Sequence, residues 1–240
     1  MKRIFNFLNK AMSATGKCPE DLTQGRFATE SAQFDAGPRF QRTGCPEQPR
    51  DTVQILDIST SMGCPDYNPT RLDGGIKAAI EYINNRLVQC PKDRIAVVTF
   101  NTKARIVLPL TPIVEAESAV AVLQKLKPDG GTDIAEGLQA AIQIYRNRPM
   151  SSRARRVILL TDGHGGNPIS KAAQLKKQHG AVIDVVGIGG THKAVKESLL
   201  RRVATTDPDG FNHYHFIADS AKLKQHYRQL ATGLVWRGGT

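Results

Sequence analysis

In residues 53–61 (VQILDISTS), an apolar run is followed by one carboxylate and two serine hydroxyls. Asp57, Ser59 and Ser61 occupy alternate positions, so a loop that leaves the run can turn all three side chains the same way. Carboxylate and hydroxyl oxygens suit Mg²⁺ or Mn²⁺, whereas Zn²⁺ prefers nitrogen and sulfur ligands. The pattern therefore predicts a site for a hard divalent cation at the end of this segment.

Two later loops carry similar oxygen donors. Residues 130–133 (GGTD) place Thr132 before an amphipathic helix, and residues 161–163 (TDG) place Asp162 after an apolar run. Each residue also has an ordinary structural explanation, because threonine and serine cap helices and Asp-Gly forms turns. The three loops taken together, in order along the chain, favour a metal site over three unrelated turns.

Strands and helices alternate from residue 51 onward. Apolar, β-branched runs typical of buried strands cover residues 53–58, 94–100, 103–110, 156–161, 181–188 and 215–217. Helical spacing predicts helices over residues 72–87, 114–126, 134–145, 169–179 and 219–236, and one more that ends near residue 204. Only two residues separate 94–100 from 103–110, so one of these strands is expected to be antiparallel. The sequence predicts a doubly wound α/β fold, with a mostly parallel central sheet flanked by helices and one antiparallel edge strand.

Residues 1–50 lack regular periodicity and are interrupted by Gly and Pro, which predicts a flexible N-terminal segment before a domain at residues 51–240. Asn6, Asn9 and Lys10 break up the first apolar stretch, so a signal peptide is not expected. No later stretch reaches the length of a membrane-spanning helix. The expected compartment is the cytoplasm.

The chain has a formal charge of +11 and a pI near 9.7, which attracts acidic proteins, nucleic acid or anionic lipid. Aromatic residues make up 6% and are not interleaved with basic residues, so a groove for single-stranded nucleic acid is not favoured. Arginines concentrate at residues 146–156 and 201–202. The first group precedes a predicted strand and predicts either a second surface for an acidic or phosphate-bearing partner or a solvated basic face.

Each of the four cysteines (Cys18, Cys45, Cys64 and Cys90) is followed by proline. They form no CxxC pair and have no histidine at zinc-binding spacing, so a structural zinc site is not expected. Haem ligation through Cys-Pro remains an alternative to four unrelated loop thiols.

Over about residues 51–236 the chain resembles the von Willebrand factor A domain family. The three loops match that family's metal-ion-dependent adhesion site. The resemblance implies that Ser59, Ser61 and Thr132 bind Mg²⁺ (or Mn²⁺) through their hydroxyls, with Asp57 and Asp162 contacting the metal directly or through water. Because hydroxyl ligands leave the ion electron-poor and one position open, an Asp or Glu of a partner protein can complete the coordination.

The implied function is that of an adaptor, a metal-dependent protein–protein interaction module. Intracellular members of the family commonly act beside AAA+ ATPases or kinases, so such a system is an implied partner. Enzymatic activity is not expected, since no Ser, Cys or His has an obvious base and no Walker-type loop is present. Two alternatives stay open. One is a metal-dependent phosphoryl-transfer or hydrolytic enzyme that uses Asp57, and the other is a charge-driven nucleic-acid binder.

The first loop departs from the family pattern in two ways. Thr60 stands where a glycine usually separates the two serines, and residues 63–70 make a long lead into the first helix. Asp66 in this lead could reach the metal, or Tyr67 could cover it. His164 is expected at the rim of the site, as a partner contact or a solvated residue.

Overall fold

The computed structural model describes residues 40–42, 48–67, 69–146, 148 and 153–236. The strands are β1 (Phe40–Arg42), β2 (Arg50–Asp57), β3 (Arg94–Phe100), β4 (Ala104–Pro112), β5 (Ala154–Thr161), β6 (Ala181–Ile188), β7 (Tyr214–Ile217) and β8 (Leu234–Trp236). The helices are α1 (Arg71–Gln89), α2 (Glu117–Leu123), α3 (Ile134–Arg146), α4 (Ile169–His179), α5 (Glu197–Val203) and α6 (Ser220–Thr232). Short 3₁₀ turns occur at Thr60–Gly63, Ile113–Glu115 and His192–Ala194.

The central sheet has the strand order β4-β3-β2-β5-β6-β7. All neighbouring strands in it are parallel except β3 and β4, so β4 is an antiparallel edge strand. This confirms the predicted doubly wound α/β fold. The chain leaves β2 toward β3 on one side and returns to β5 on the other, which makes the carboxyl ends of β2 and β5 the switch point where such folds bind ligands.

Strand β2 is buried at every position, polar residues included, as expected for a central strand that is covered on both faces. Val53 and Ile55 pack in a core with residues of α3, α4 and α5, whereas Leu56 packs on the opposite face with residues of α1, α2 and α6. Helices therefore cover both faces of the sheet. The polar ends of its strands are left at the two edges, where loops can reach them.

The end of α6 differs from the prediction. The helix stops at Thr232 because Gly233 adopts a left-handed conformation with φ 71° and forms the C-cap. Residues 234–236 then form β8, which pairs with β1 in a separate two-stranded antiparallel sheet. The predicted continuation of the helix to residue 236 is therefore wrong.

Most of the predicted N-terminal segment, residues 1–39 and 43–47, lies outside the described residues. Its flexibility and the domain boundary near residue 50 stay predictions. In the described part of the chain, no helix combines the length and the apolar character needed to cross a membrane.

Candidate metal site

Asp57 ends β2 and Thr161 ends β5, at the switch point of the sheet. The Thr161 hydroxyl donates a hydrogen bond of 2.7 Å to Asp57 Oδ2, and the Ser59 N–H donates one of 2.8 Å to Asp57 Oδ1. Asp57 and Thr161 are both fully buried. The Asp57 carboxylate is therefore held in one orientation at the edge where ligands bind in this fold.

Ser59 and Ser61 bring their hydroxyls together. Their Oγ atoms lie 3.2 Å apart, because the 3₁₀ turn Thr60–Gly63 begins directly after Ser59. Ser59 is 1% exposed, whereas Ser61 is half-buried. The first loop (residues 58–70) thus places two hydroxyls beside the end of β2, one of them close to solvent.

Thr60 ties the first loop to the second loop (residues 124–133). Its N–H and its hydroxyl both donate to the Gly130 carbonyl, at 3.0 and 2.9 Å. The Asp129 N–H donates back to the Ile58 carbonyl at 2.7 Å. The side chain that replaces the family's usual glycine therefore adds a hydrogen bond that glycine lacks.

Two glycines bring the third loop (residues 162–168) against the second loop. A Cβ atom on Gly165 would lie 2.0 Å from the Thr132 carbonyl oxygen, and one on Gly166 would lie 2.2 Å from Asp133 Oδ1. Both glycines also have positive φ, 114° and 71°, a region that side chains disfavour. This close approach places Thr132 next to the loop that carries Asp162.

The cap of α3 is Asp133. Its Oδ1 accepts a hydrogen bond of 3.0 Å from the Ala135 N–H in the first turn of the helix. Thr132 is therefore not required for capping, which removes the main structural alternative for this residue.

Asp162 is fully buried and has a cationic partner. Its Oδ2 accepts a hydrogen bond of 3.2 Å from Arg71 Nη1, and its Oδ1 accepts one of 3.3 Å from the His164 N–H. Arg71 is the first residue of α1 and is 7% exposed. Arg71 was not among the residues that the sequence predicted for this site. A signal was present, because a cation in the first turn opposes the helix dipole unless a carboxylate accompanies it.

Asp66 and Tyr67 fix the lead into α1 through contacts with other parts of the fold. Asp66 accepts hydrogen bonds from Arg71 through both oxygens, and its Oδ2 also accepts one of 2.7 Å from the Gly190 N–H. Tyr67 is 1% exposed, and its hydroxyl donates to the Ile217 carbonyl. Tyr67 therefore packs in the core and does not cover the site, while Asp66 holds Arg71.

Burial raises the pKa of Asp57 to about 6, although hydrogen bonds from Ser59 and Thr161 act in the opposite direction. The neighbouring Asp162 raises this pKa further. A buried carboxylate in such surroundings gains from a cation, which offsets its lost hydration. Two carboxylates and three hydroxyls at one edge are donors that fit Mg²⁺ or Mn²⁺.

Other ligand types contribute little in the part of the chain that the structure describes. No group of three or more His, Cys, Asp or Glu side chains there is arranged to hold a metal ion. Cys64 and Cys90 are not joined in a disulfide, and Cys18 and Cys45 lie outside the described residues. The exposed His164 has its Nε2 2.9 Å from the Ala194 carbonyl oxygen. A metal at this edge would therefore depend on the hydroxyls.

The arginines at the start of β5 are engaged inside the protein. Arg153 pairs with Asp51 at 2.7 Å, and Arg156 pairs with Asp184. Arg155 donates to two backbone carbonyls and is 7% exposed. The two predictions for this cluster, a partner surface and a solvated basic face, are therefore wrong for these three residues, because their guanidinium groups bind carboxylates and carbonyls within the fold.

A cavity of about 630 Å³ lies at the amino edge of the sheet, near the start of β6. Its lining includes Lys176, Arg201 and Arg202. Lys176 Nζ donates to three carbonyls at the end of α5, at 3.1–3.3 Å, and Arg201 lies over the Tyr214 ring at 4.9 Å. Two of the three cations are therefore occupied by internal contacts.

Residues 52–164 match the sequence model of the family described as the von Willebrand factor type A domain. Calcium-activated chloride channel regulator 3A-1 from Mus musculus is 28% identical over 70% of this chain and 19% of its own length. von Willebrand factor A domain-containing protein 2 from Xenopus laevis is 28% identical over 66% of this chain and 20% of its own length. This chain therefore spans only a minor part of both relatives.

A solved structure shows the same fold. The vWF domain of the type V pili tip protein Mfa5 from Porphyromonas gingivalis superimposes with a TM-score of 0.65 at 17% identity. The superposition covers 81% of this chain and 98% of that one. The doubly wound sheet and the family match together show that this chain carries a von Willebrand factor type A domain, which confirms the resemblance seen in the sequence.

Proposed function

We propose that this domain is a protein-interaction module that binds an acidic side chain of a partner through a divalent cation. The observation that carries the proposal is the meeting of three loops around the buried Asp57 carboxylate. In this proposal Ser59, Ser61 and Thr132 hold Mg²⁺ or Mn²⁺ through hydroxyls, and Asp57 and Asp162 contact the ion directly or through water.

The bound ion would supply the positive charge that attracts a partner's carboxylate. The protein's part is to orient its own donors. Ser59 and Thr161 fix both oxygens of Asp57, and Thr60 holds the second loop in place. Because the hydroxyl ligands carry no formal charge, an incoming carboxylate meets less repulsion than it would at a site built from carboxylates alone.

The names of the relatives support an interaction role. One is a pili tip protein and another is a channel regulator. The more specific predictions, an adaptor beside an AAA+ ATPase or a kinase-type system in the cytoplasm, stay predictions for this chain.

Enzymatic turnover is not part of the proposal. Asp57 is fully buried and both of its oxygens accept hydrogen bonds, which weighs against its use as a nucleophile. Turnover of a generic phosphatase substrate with Mg²⁺ that is lost in Asp57→Asn would favour the enzyme alternative instead.

Nucleic-acid binding is also not favoured. Arg153, Arg155 and Arg156 are engaged internally, which lowers the charge available to phosphates. Binding to DNA or RNA that falls steeply with salt and is unchanged by EDTA would favour this alternative over the metal site.

The proposal is tested by calorimetric titration of Mg²⁺ and of Mn²⁺ into EDTA-stripped protein. We expect saturable binding to the wild type and none to the Asp57→Ala, Ser59→Ala double variant. Asp129→Asn is the matched control, because it removes an exposed carboxylate from the second loop without touching these donors. Absence of binding to the wild type and the control would contradict the metal site.

The partner is tested next. A protein captured in Mg²⁺ and released by EDTA should lose binding when a single Asp or Glu on its contact surface is replaced by Ala. Capture that is insensitive to EDTA, or to every acidic substitution, would contradict carboxylate recognition through the ion.

A further inference from the structure

Arg71 is a buried cation within the candidate metal site. Its Nη1 donates to Asp162 Oδ2 at 3.2 Å, while its Nε and Nη2 donate to the two oxygens of Asp66. Its side chain is 8% exposed, and that of Asp162 is 1% exposed. The guanidinium therefore joins one of the implied metal ligands to the lead into α1.

The position of Arg71 is unfavourable unless it is paired. It is the first residue of the 19-residue helix α1, where the helix dipole repels a cation. Removing a guanidinium from water also has a large cost, which the two carboxylates must offset. An arginine placed here is therefore held by Asp66 and Asp162 together.

Asp66 fixes the other side of the guanidinium. It accepts a hydrogen bond from the Gly190 N–H in the loop after β6, and its own side chain is 30% exposed. A Cβ atom on Gly190 would lie 3.1 Å from Asp66 Oδ2, so this glycine allows the close approach. Arg71 thus has a defined position 3.2 Å from Asp162 before any ion is considered.

Charge balance gives Arg71 a role toward the ion. Asp57 and Asp162 supply two buried negative charges at the edge of the sheet, and Arg71 offsets one of them at Asp162. A divalent cation at the same edge would meet the repulsion of the guanidinium. At the separations found within one site, such repulsion changes binding by more than tenfold.

We propose that Arg71 is an internal counter-cation of the metal site. It neutralises Asp162 when no metal is bound, and it weakens the affinity for divalent cations by competing for the same carboxylate. This inference rests on the proposed metal-dependent function. It makes Arg71 a positioning residue that sets how strongly the ion is held.

The test compares Arg71→Gln with Arg86→Gln. Arg86 is a matched control, because it is a buried arginine in the last turn of the same helix, paired with Asp93 at the opposite edge of the sheet. Mg²⁺ and Mn²⁺ are titrated calorimetrically into EDTA-stripped protein, and the Tm is measured in EDTA and in saturating Mg²⁺. Arg71→Lys, which keeps the charge, is measured alongside.

We expect Arg71→Gln to bind Mg²⁺ at least about tenfold more tightly than the wild type. Its Tm should fall in EDTA and recover in Mg²⁺, since the ion replaces the lost charge and binds only the folded state. Arg86→Gln should lose Tm in both buffers with unchanged affinity. Arg71→Lys should stay near the wild-type affinity.

An affinity of folded Arg71→Gln equal to or below that of the wild type would overturn the inference. If Arg71→Gln folds only in the presence of Mg²⁺, that dependence supports the inference. If it folds neither in EDTA nor in Mg²⁺, Arg71 is only a structural ion pair and the inference fails. Binding by Arg71→Gln but not by the wild type would support the inference and contradict the proposed function. Absence of binding by both would contradict both.

Discussion

The Thr161 hydroxyl donates to the Asp57 carboxylate across the boundary between β5 and β2. The Thr161 hydroxyl oxygen also accepts a hydrogen bond of 3.0 Å from the Gly163 N–H in the third loop. One threonine side chain therefore connects the end of the first metal-site strand with the loop that carries Asp162.

Thr161→Val should destabilise the domain by about 2 kcal/mol, because it leaves the buried Asp57 Oδ2 without this donor and the Gly163 N–H without its acceptor. Urea denaturation in EDTA measures the change. Thr161→Ser is the control, since it keeps the hydroxyl and removes only a methyl group. Equal stabilities of the two variants would show that the hydrogen bond contributes nothing.

Gly165→Ala should cost at least about 3 kcal/mol and abolish Mg²⁺ binding. The new Cβ would meet the Thr132 carbonyl, in addition to the strain of an alanine at positive φ. Gly210 provides the control, because it also has positive φ, 87°, but has no atom within 4 Å of an added Cβ. Gly210→Ala should cost about 1 kcal/mol and leave Mg²⁺ binding intact. Equal losses in both variants would contradict the predicted contact between the loops.

Asp51→Asn should destabilise the domain by about 2 kcal/mol while leaving Mg²⁺ affinity unchanged. Asp51 lies at the amino edge of the sheet and pairs with Arg94 and Arg153, whose side chains are 25% and 19% exposed. Because the two arginine side chains are partly exposed, the expected loss of unfolding free energy is smaller than the loss for breaking a fully buried ion pair. Calorimetric unfolding and Mg²⁺ titration of the same preparation check both statements. A change in affinity would show that the two edges of the sheet are coupled.

Two histidines should make the domain less stable in mild acid. His226 of α6 and His215 of β7 have ring centroids 4.4 Å apart. Burial lowers the pKa of His215 to about 4 and that of His226 to about 3. Asp184 and Arg156 face this pair from β6 and β5, and Asp184 opposes the lowering while Arg156 adds to it.

The sign of the effect follows from proton binding. Unfolded histidine takes up a proton near pH 6.5, whereas these two resist it down to about pH 4, so stability present above pH 6.5 is lost as the pH falls. Each of the two histidines should lower the free energy of unfolding by about 2 kcal/mol between pH 7 and pH 5. His226→Phe should reduce that loss in urea denaturation, with His192→Phe, at an exposed histidine, as control. If His226→Phe lost as much unfolding free energy between pH 7 and pH 5 as the wild type does, this assignment would be contradicted.

The sequence predicted the fold where hydrophobic pattern decides structure. The bounds of β3, α4 and β6 agree with the predicted ranges, because each is an apolar or amphipathic segment bounded by Gly, Pro or polar residues. The same pattern failed after residue 232. There the apolar residues 234–236 continue the helical spacing, but Gly233 ends the helix through its backbone conformation.

The candidate site was predictable in its donors but less so in their surroundings. The type and order of Asp57, Ser59, Ser61, Thr132 and Asp162 were evident in the sequence, and the loops that carry them do meet. The ion pairs were not evident, because they depend on contacts between distant residues. Arg71 reaches Asp162 across 91 positions, and Arg153 reaches Asp51 across 102. Periodicity within single elements carries no information about such pairs.

The hydrogen bond between Thr161 and Asp57 spans 104 positions, which has a consequence for synthesis of the chain. The first loop leaves the ribosome long before β5 exists, and sheet formation between such distant segments is a slow step of folding. A nascent chain that ends before residue 161 lacks both the strand that orients Asp57 and the carboxylate of Asp162. Any ion that these loops hold therefore stabilises only chains in which β5 has docked beside β2, and leaves shorter translation products unprotected.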